Sequence, residues 1–301
     1  MIITVIITAY DRKEFIITAI KSVLNQTILK NDYELIVVKN YKNTIIDNYL
    51  KKKGIKNIYS SDKSLGGKLA EAIKVSTGEV ISFLEDDDAF VETKLEYVQS
   101  LFTTNKSLVY YHNGYTPVNE KHSMAKYNNN SPDFNMSCIS IRKEVIDADK
   151  IIGITDSIDT FMYLSAVESG KSIMADRKKL TSYMVHNSAS NIFSSDFKDF
   201  NAARITYINN VIETLNLFID FFKNDKARKY LESQVTYYRI LGFAYNRTRV
   251  PENIINFLIN NKNGFGMKAK YVSNYVLLRL SSRRYRSYIQ YRIYRKTMEK
   301  R

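Results

Sequence analysis

The sequence predicts an α/β chain: a mostly parallel central sheet with helices on both faces, followed by a helical C-terminal region. Three observations carry this. Through residue 102, short β-branched apolar runs alternate with segments whose apolar residues recur at helical spacing. Beyond about residue 195 the strand-like runs stop and helical segments follow one another. Between these regions, the carboxylate run Glu85-Asp86-Asp87-Asp88 closes an apolar run and marks one end of the sheet.

Each element has a local reason. The run 2–8 (IITVIIT) is β-branched and too short for a helix. Residues 12–26 place Phe15, Ala19, Ile20, Val23 and Leu24 on one helical face. The run 33–38 (YELIVV) is a second buried strand, and 43–54 is a helix closed by Gly54. Residues 55–60 form a third strand, 66–78 a helix ending at Gly78, 79–84 a fourth strand and 91–102 a further helix. Continuous apolar strands separated by helices imply a parallel sheet covered on both faces. Residues 107–127 are mixed strand and loop, 134–141 (FNMSCISI) is a strand, and short helices follow. Segments 196–223, 226–246, 251–261 and 268–298 favour helix. The expected division is 1–192 and 193–301.

Composition narrows the function classes. The chain has 301 residues, 45% hydrophobic and 25% charged, ordinary for a folded soluble protein. Its 45 Lys and Arg against 31 Asp and Glu give a formal charge of +14, which favours an anionic partner. One cysteine, Cys138, excludes an internal disulfide and reads as a small buried apolar residue; a reducing cytoplasm suits it. Three His and one Cys do not make a structural zinc site. The first ten residues carry no basic leader and read as a strand, and no run of about 20 apolar residues predicts a transmembrane helix.

Four adjacent carboxylates need an explanation. Two of them about 4 Å apart repel by roughly 4 kcal/mol at an effective dielectric near 20. Asp88 would cap a helix beginning near Val91, but one cap needs one or two carboxylates. The other reading is a hard divalent cation. Mg²⁺ and Mn²⁺ take oxygen ligands and commonly use one or two carboxylates with substrate phosphates. Ligands of parallel sheets bind at the carboxyl ends of the strands, where this run and the Thr8–Arg12 turn both fall.

Four pieces in order, IITVIITAYDR, YELIVV, STGEVISFLEDDDAF and TDSIDTFMYLSAVESG, give residues 1–190 a resemblance to the inverting family 2 glycosyltransferases of GT-A fold, a Rossmann-like arrangement. The resemblance implies a nucleotide-sugar donor (a UDP- or GDP-sugar), Mn²⁺ or Mg²⁺, and a glycan or polyprenyl-linked acceptor. Glu85 and Asp87 match the outer positions of the family's DxD, with Asp86 between them and the usual metal contact on Asp87. Thr8, Ala9, Tyr10 and Arg12 match the turn that holds the nucleotide. Lys39-Asn40 stands where the family has an acidic pair facing base or ribose, so Asn40 or Asp62 would supply those hydrogen bonds. Lys68, after Gly66-Gly67, either faces the diphosphate or is a solvated surface lysine. The resemblance implies a catalytic base that opens a helix ahead of a Gly, which counting back from Gly170 places on Asp159, with Asp156 as rival; each otherwise reads as a helix N-cap. His186 would touch metal or diphosphate, or be structural.

The stretch from Arg279 to Arg301 is strongly basic with interleaved Tyr and Ile. It reads as a peripheral contact with an anionic membrane on the cytoplasmic face, or as a docked helix with a solvated basic face. No nucleic-acid motif accompanies it. The alternative to an enzyme is a GT-A-like binding protein that has lost turnover and docks on membrane or RNA through these helices.

Overall fold

The computed structural model describes residues 1–10, 13–118, 135–184, 196–246, 273 and 283–298. Arg12 and His186 lie outside them, as does the expected helix 251–261. The chain divides into two compact units, 1–185 and 186–301.

The first unit is built on an eight-stranded sheet. Its strands are β1 (Ile3–Ala9), β2 (Tyr33–Lys39), β3 (Lys56–Tyr59), β4 (Val80–Glu85), β5 (Ala89–Phe90), β6 (Leu108–Val118), β7 (Ile139–Arg142) and β8 (Ser172–Met184). The order across the sheet is β3-β2-β1-β4-β7-β6-β8-β5. Strands β1 to β4 pair in parallel, β7 runs antiparallel to both neighbours, β6 and β8 pair in parallel, and β5 is antiparallel to β8. The helices are α1 (Ile16–Leu24), α2 (Thr44–Lys52), α3 (Leu65–Val75), α4 (Lys94–Thr104) and α5 (Ile158–Glu168).

Why β1 sits at the centre follows from its residues. Ile3, Val5 and Ile7 are fully buried in one cluster with Ile16, Ile20 and Val23 of α1, Ile46 and Leu50 of α2, and Leu95 and Val98 of α4. Ile6, also fully buried, points the other way by the strand's period of two, toward the side that α3 covers with Leu69 and Ile73. Both faces being apolar is what a parallel sheet wrapped by helices requires.

Two expectations are corrected, and one strand is added. The helix after β3 ends at Val75, not at Gly78. Gly78 is small for another reason: a Cβ there would lie 2.5 Å from Thr4 N, where the chain enters β4 beside β1. Residues 134–141 are not all strand, because a 3₁₀ turn at Met136–Cys138 precedes β7. Strand β8 was not read from the sequence, because ADRKK interrupts its apolar pattern. The interruption has a structural cause. The Asp176 carboxylate accepts from Tyr111 Oη at 2.9 Å and Tyr97 Oη at 3.3 Å, and Gly114 lets the Arg177 backbone approach where the β6–β8 register shifts.

The second unit is helical, as expected. Helices α6 (Phe197–Phe221) and α7 (Asp225–Asn246) are joined by three residues, a length that makes them antiparallel neighbours. Ile208, Val211, Leu215 and Phe218 bury one stripe of α6, and Ala227, Leu231 and Val235 one stripe of α7. A further helix, α8 (Arg283–Met298), packs on both. Among the described residues no helix is long and apolar enough to cross a membrane.

One glycine fixes how α3 is seated. A Cβ on Gly66 would fall 1.8 Å from the carbonyl oxygen of Ile151, and the Gly66 N–H donates to the Ile154 carbonyl at 2.8 Å. Gly66→Ala is expected to destabilise the first unit by about 1–3 kcal/mol, the usual cost of overpacking against backbone that cannot yield. Urea unfolding followed by circular dichroism measures it; a midpoint equal to wild type would mean the 151–154 turn is free to move away.

Candidate active site

The carboxyl ends of β1, β2 and β4 are aligned. Thr8 pairs with Val38 on one side and with Glu85 on the other, and Ala9 with Lys39. Tyr10 follows at the surface, 61% exposed, and its backbone N–H donates to Asp86 Oδ2 at 3.0 Å. The predicted turn and the predicted acidic cluster therefore meet directly.

The four carboxylates divide by alternation. Asp86 and Asp88 point inward, 0% and 1% exposed. Asp88 Oδ1 accepts from the Met184 N–H at 2.8 Å, which fastens the end of β8 beneath the turn. Glu85 keeps partial exposure and Asp87 is 9% exposed. Burial, then the neighbouring charges of Asp87 and Glu85, push the Asp88 carboxyl well above the usual carboxylate range, against the Ser137 hydroxyl and the Met184 N–H. The expected capping role of Asp88 is corrected: the next helix begins at Lys94, and Asp88 holds β8.

Beneath the cluster lies a polar network that the sequence did not reveal. The fully buried Lys94 Nζ donates to the Ser137 carbonyl at 2.5 Å and to Thr181 Oγ1 at 3.1 Å, and stands 3.8 Å from the Phe90 ring centroid. Asn113 Nδ2 donates to the same Thr181 hydroxyl at 3.0 Å, and that hydroxyl donates to the Ser137 carbonyl at 2.9 Å. The Glu85 N–H in turn donates to Ser137 Oγ at 3.0 Å. Burial lowers the Lys94 ammonium to about 7, with Cys138 and Asp88 opposing that fall. A lysine at a helix start gives no sequence sign of burial; only the fold encloses it.

The Gly-Gly-Lys motif is organised by Asp62. Its Oδ1 accepts from Ser64 N and Ser64 Oγ, both at 2.7 Å, and Ser64 Oγ caps α3 by accepting from Gly67 N at 2.9 Å. These Ser64 bonds, with Lys68 nearby, hold the Asp62 carboxyl below its usual range. A Cβ on Gly67 would lie 2.0 Å from Asp62 Oδ2. Lys68 is no solvated surface lysine: it is 3% exposed, donates to the Ser64 carbonyl at 3.1 Å, and lies 5.3 Å from the Tyr10 ring centroid. Burial lowers its ammonium, with Asp62 and Glu71 opposing.

After β2, Lys39 is turned inward. It is 1% exposed and pairs with Asp47 of α2 at 2.7 Å. Burial works against ionisation of Asp47, but the Lys39 ammonium, the Asn57 amide and the Asn43 N–H outweigh it and keep the carboxyl low. Asn40, partly buried, follows, and among the described residues its Oδ1 has no hydrogen-bond partner.

The segment 151–157 docks on the start of α3 through Gly66 and leads into α5. Ser157 takes a left-handed φ of 63°, so the chain turns sharply between Asp156 and Asp159. Thr155 Oγ1 donates to Asp156 Oδ2 at 3.1 Å, and Asp159 Oδ1 accepts from the Thr160 N–H at 2.6 Å; both carboxylates keep partial exposure. The helix that Asp159 opens runs to Glu168 and stops before Gly170, at φ 68°.

Among the described residues no group of three or more His, Cys, Asp or Glu side chains is arranged to hold a metal. Glu85, partly exposed, and Asp87, 9% exposed, still fit a hard divalent cation, whose other ligands are commonly water and phosphate oxygen.

Aligned parallel strand ends carrying a carboxylate turn beside a helix N-terminus define an α/β nucleotide-binding domain of GT-A type. Residues 4–161, more than half of the chain, match the family described as Glycosyl transferase family 2, and the chain belongs to that family. An uncharacterized glycosyltransferase of Rickettsia bellii is 34% identical over 123 residues, 40% of this chain and 17% of that protein. The poly(ribitol-phosphate) beta-N-acetylglucosaminyltransferase TarP of Staphylococcus aureus is 32% identical over 111 residues, 35% of this chain and 34% of TarP. The match thus spans between about a sixth and a third of these relatives' lengths. Among solved structures, S. aureus TarS with UDP-GlcNAc superposes with a TM-score of 0.55 at 14% identity, covering 92% of this chain and 90% of that one. The mannosyltransferase PcManGT of Pyrobaculum calidifontis, with GDP-Man and Mn²⁺, gives 0.58 at 11% identity, covering 98% and 85%. At these identities the likeness is one of fold.

A buried neutral histidine beside the network makes a pH prediction. Burial, then the Lys94 charge, lowers His112 to about 4, with Asp176 opposing. The unfolded chain binds this proton below about 6.5 and the folded chain only near 4, so stability falls as pH drops through that window. The contribution is on the order of 2–3 kcal/mol at full effect. His112→Gln is expected to flatten the melting-temperature curve between pH 6.5 and 4 relative to wild type. Parallel curves would mean the imidazole is protonated in the fold.

Proposed function

We propose that the chain is a metal-dependent inverting glycosyltransferase that moves a hexosyl unit from a UDP- or GDP-sugar to an acceptor hydroxyl. The observation that carries this reading is the alignment of Thr8 with Glu85 across adjacent strands, with the Tyr10 N–H closing onto Asp86. That alignment supports reading 8–10 as the turn that would hold the nucleotide, beside Glu85 and Asp87. The relatives named for N-acetylglucosaminyl and mannosyl transfer support the donor class.

Asp87 and Glu85 would hold Mn²⁺ or Mg²⁺, with His186 as a further candidate ligand. The cation would neutralise charge on the donor diphosphate. The chain's own residues do the rest. Tyr10, Thr8 and Ala9 line the nucleotide turn, and Asn40 and Asp62 offer hydrogen bonds to base or ribose. Lys68 and the capped start of α3 present positive potential to the diphosphate. Asp86 acts through the Tyr10 amide, fixing the turn. Asp159, with Asp156 as the alternative, accepts the acceptor's proton as its oxygen forms the new bond to the anomeric carbon. The bond from that carbon to the diphosphate breaks, and the nucleoside diphosphate leaves with the electron pair. The acceptor we favour is a glycan or polyprenyl-linked glycan at the cytoplasmic membrane face.

Two substitutions test this. Asp87→Ala is expected to remove Mn²⁺-dependent donor binding, read by calorimetry with UDP- and GDP-sugars, while the melting temperature stays level or rises. Undiminished metal dependence would move the metal contact elsewhere.

Asp159→Asn is expected to keep donor affinity and lose transfer by roughly 10²–10⁴-fold, the usual worth of a positioned base. The amide preserves shape and removes the proton acceptor. If Asp156→Asn shows that loss and Asp159→Asn does not, the base is Asp156.

A further inference from the structure

The formal charge is not shared between the two units. Residues 1–185 carry 24 Lys and Arg against 23 Asp and Glu, whereas residues 186–301 carry 21 against 8. The donor-site candidates, His186 apart, lie in the nearly neutral unit, and none of them is a Lys or Arg of the second unit. An excess of this size in a small helical unit marks an anionic partner of its own.

Helix α8 concentrates it. Its sixteen residues, RRYRSYIQYRIYRKTM, hold five Arg and one Lys and no acid. The helix is anchored within its unit. The Tyr294 ring meets Phe197 and Phe200 of α6 at 5.5 and 5.3 Å, and Tyr291 meets Phe197 edge-on at 5.7 Å. The side next to these anchors is left to solvent, with Tyr291 at the border between the two. Tyr288 is 56% exposed, Tyr291 49%, and Arg292 and Arg295 are exposed as well. These four stand at i, i+3, i+4 and i+7, so they form one continuous face about a third of the helix wide. At that spacing a helix ordinarily presents the stripe it buries.

We propose that this face docks on an anionic phospholipid surface. Guanidinium groups pair with phosphate in a bidentate fork, and a tyrosine presents an apolar ring with a polar tip, which suits the headgroup layer. A planar surface meets all four residues of a straight helical face at once. A nucleic-acid strand would need rings set along a groove that tracks its backbone, and a single convex helix offers no groove. The proposal stands independently of the catalytic reading, since it uses no residue of the donor site. It makes the basic C-terminal stretch both a docked helix and a membrane contact, since anchoring through Tyr294 is what holds the other face outward.

The test uses the full chain and sedimentation with phosphatidylcholine vesicles, with and without phosphatidylglycerol, across a salt series. Binding is expected only with phosphatidylglycerol and is expected to weaken steeply with salt. Arg292→Glu/Arg295→Glu, both exposed, is expected to weaken it at least about tenfold with an unchanged circular-dichroism melt. Tyr288→Ser, at the most exposed of these tyrosines, is a second variant expected to weaken it in the same direction. Equal binding to both vesicle types, or wild-type binding by both variants, would overturn the proposal. So would a single-stranded oligonucleotide whose binding the charge reversal abolishes while vesicle binding persists.

Discussion

The buried hydrogen-bond network around Lys94, Ser137 and Thr181 is the constraint on which the site depends. Four adjacent carboxylates at one strand end repel one another, and three of them, Asp86, Asp87 and Asp88, are buried. A buried carboxylate is tolerable only with charge and hydrogen bonds close by. Lys94, at the start of α4, feels the Asp88 charge but is itself lowered to about 7 by burial, and its hydrogen bonds go to the Ser137 carbonyl and the Thr181 hydroxyl. Those groups belong to the turn before β7 and to β8, so one side chain ties α4, that turn and β8 together, and Ser137 Oγ carries the tie on to the Glu85 N–H. With Asp86 and Asp88 held inward, Glu85 and Asp87 are the members of the run that keep solvent contact.

The antiparallel half of the sheet has its purpose here. Strands β1 to β4 alone would present a nucleotide-binding edge with no wall beyond Glu85. Strand β7 against β4 brings Ser137 to the Glu85 amide, and β8 brings Met184 to Asp88. The price of this closure is a set of buried polar groups bonded across 40 residues or more, with Asn113 Oδ1 and Asp88 Oδ2 left without a hydrogen-bond partner among the described residues. A half-made network of this kind would be worse than an apolar core, so its members act together.

On the other flank, two glycines permit the contacts that their neighbours need. Gly66 admits the Ile151 and Ile154 carbonyls, and Gly67 admits the Asp62 carboxylate. The first fixes the segment that leads to Asp156 and Asp159 against α3; the second holds Asp62 over the capped helix start. Nucleotide-facing and acceptor-facing candidates are thereby referenced to the same turn of helix. The departure at Lys39 is absorbed locally: its ion pair with Asp47 fastens α2 to β2 and leaves Asn40 as the polar side chain there.

The sequence by itself determined the alternation of β1 to β4 with their helices, because each of those elements is apolar on a period its own residues display. It determined the acidic run, the Gly66-Gly67-Lys68 motif and the helix bounded by Asp159 and Gly170, since these are local in the chain. Only the tertiary structure decided which carboxylates face inward, because Asp86 and Asp88 are held by amides of Tyr10 and Met184, 76 and 96 residues away. It alone decided that Lys68 and Lys94 are buried, since a lysine's surroundings are set by packing and not by its neighbours in sequence. Strand β8 was illegible for the same reason: its charged middle is satisfied by Tyr97 and Tyr111, partners that only the folded sheet brings near.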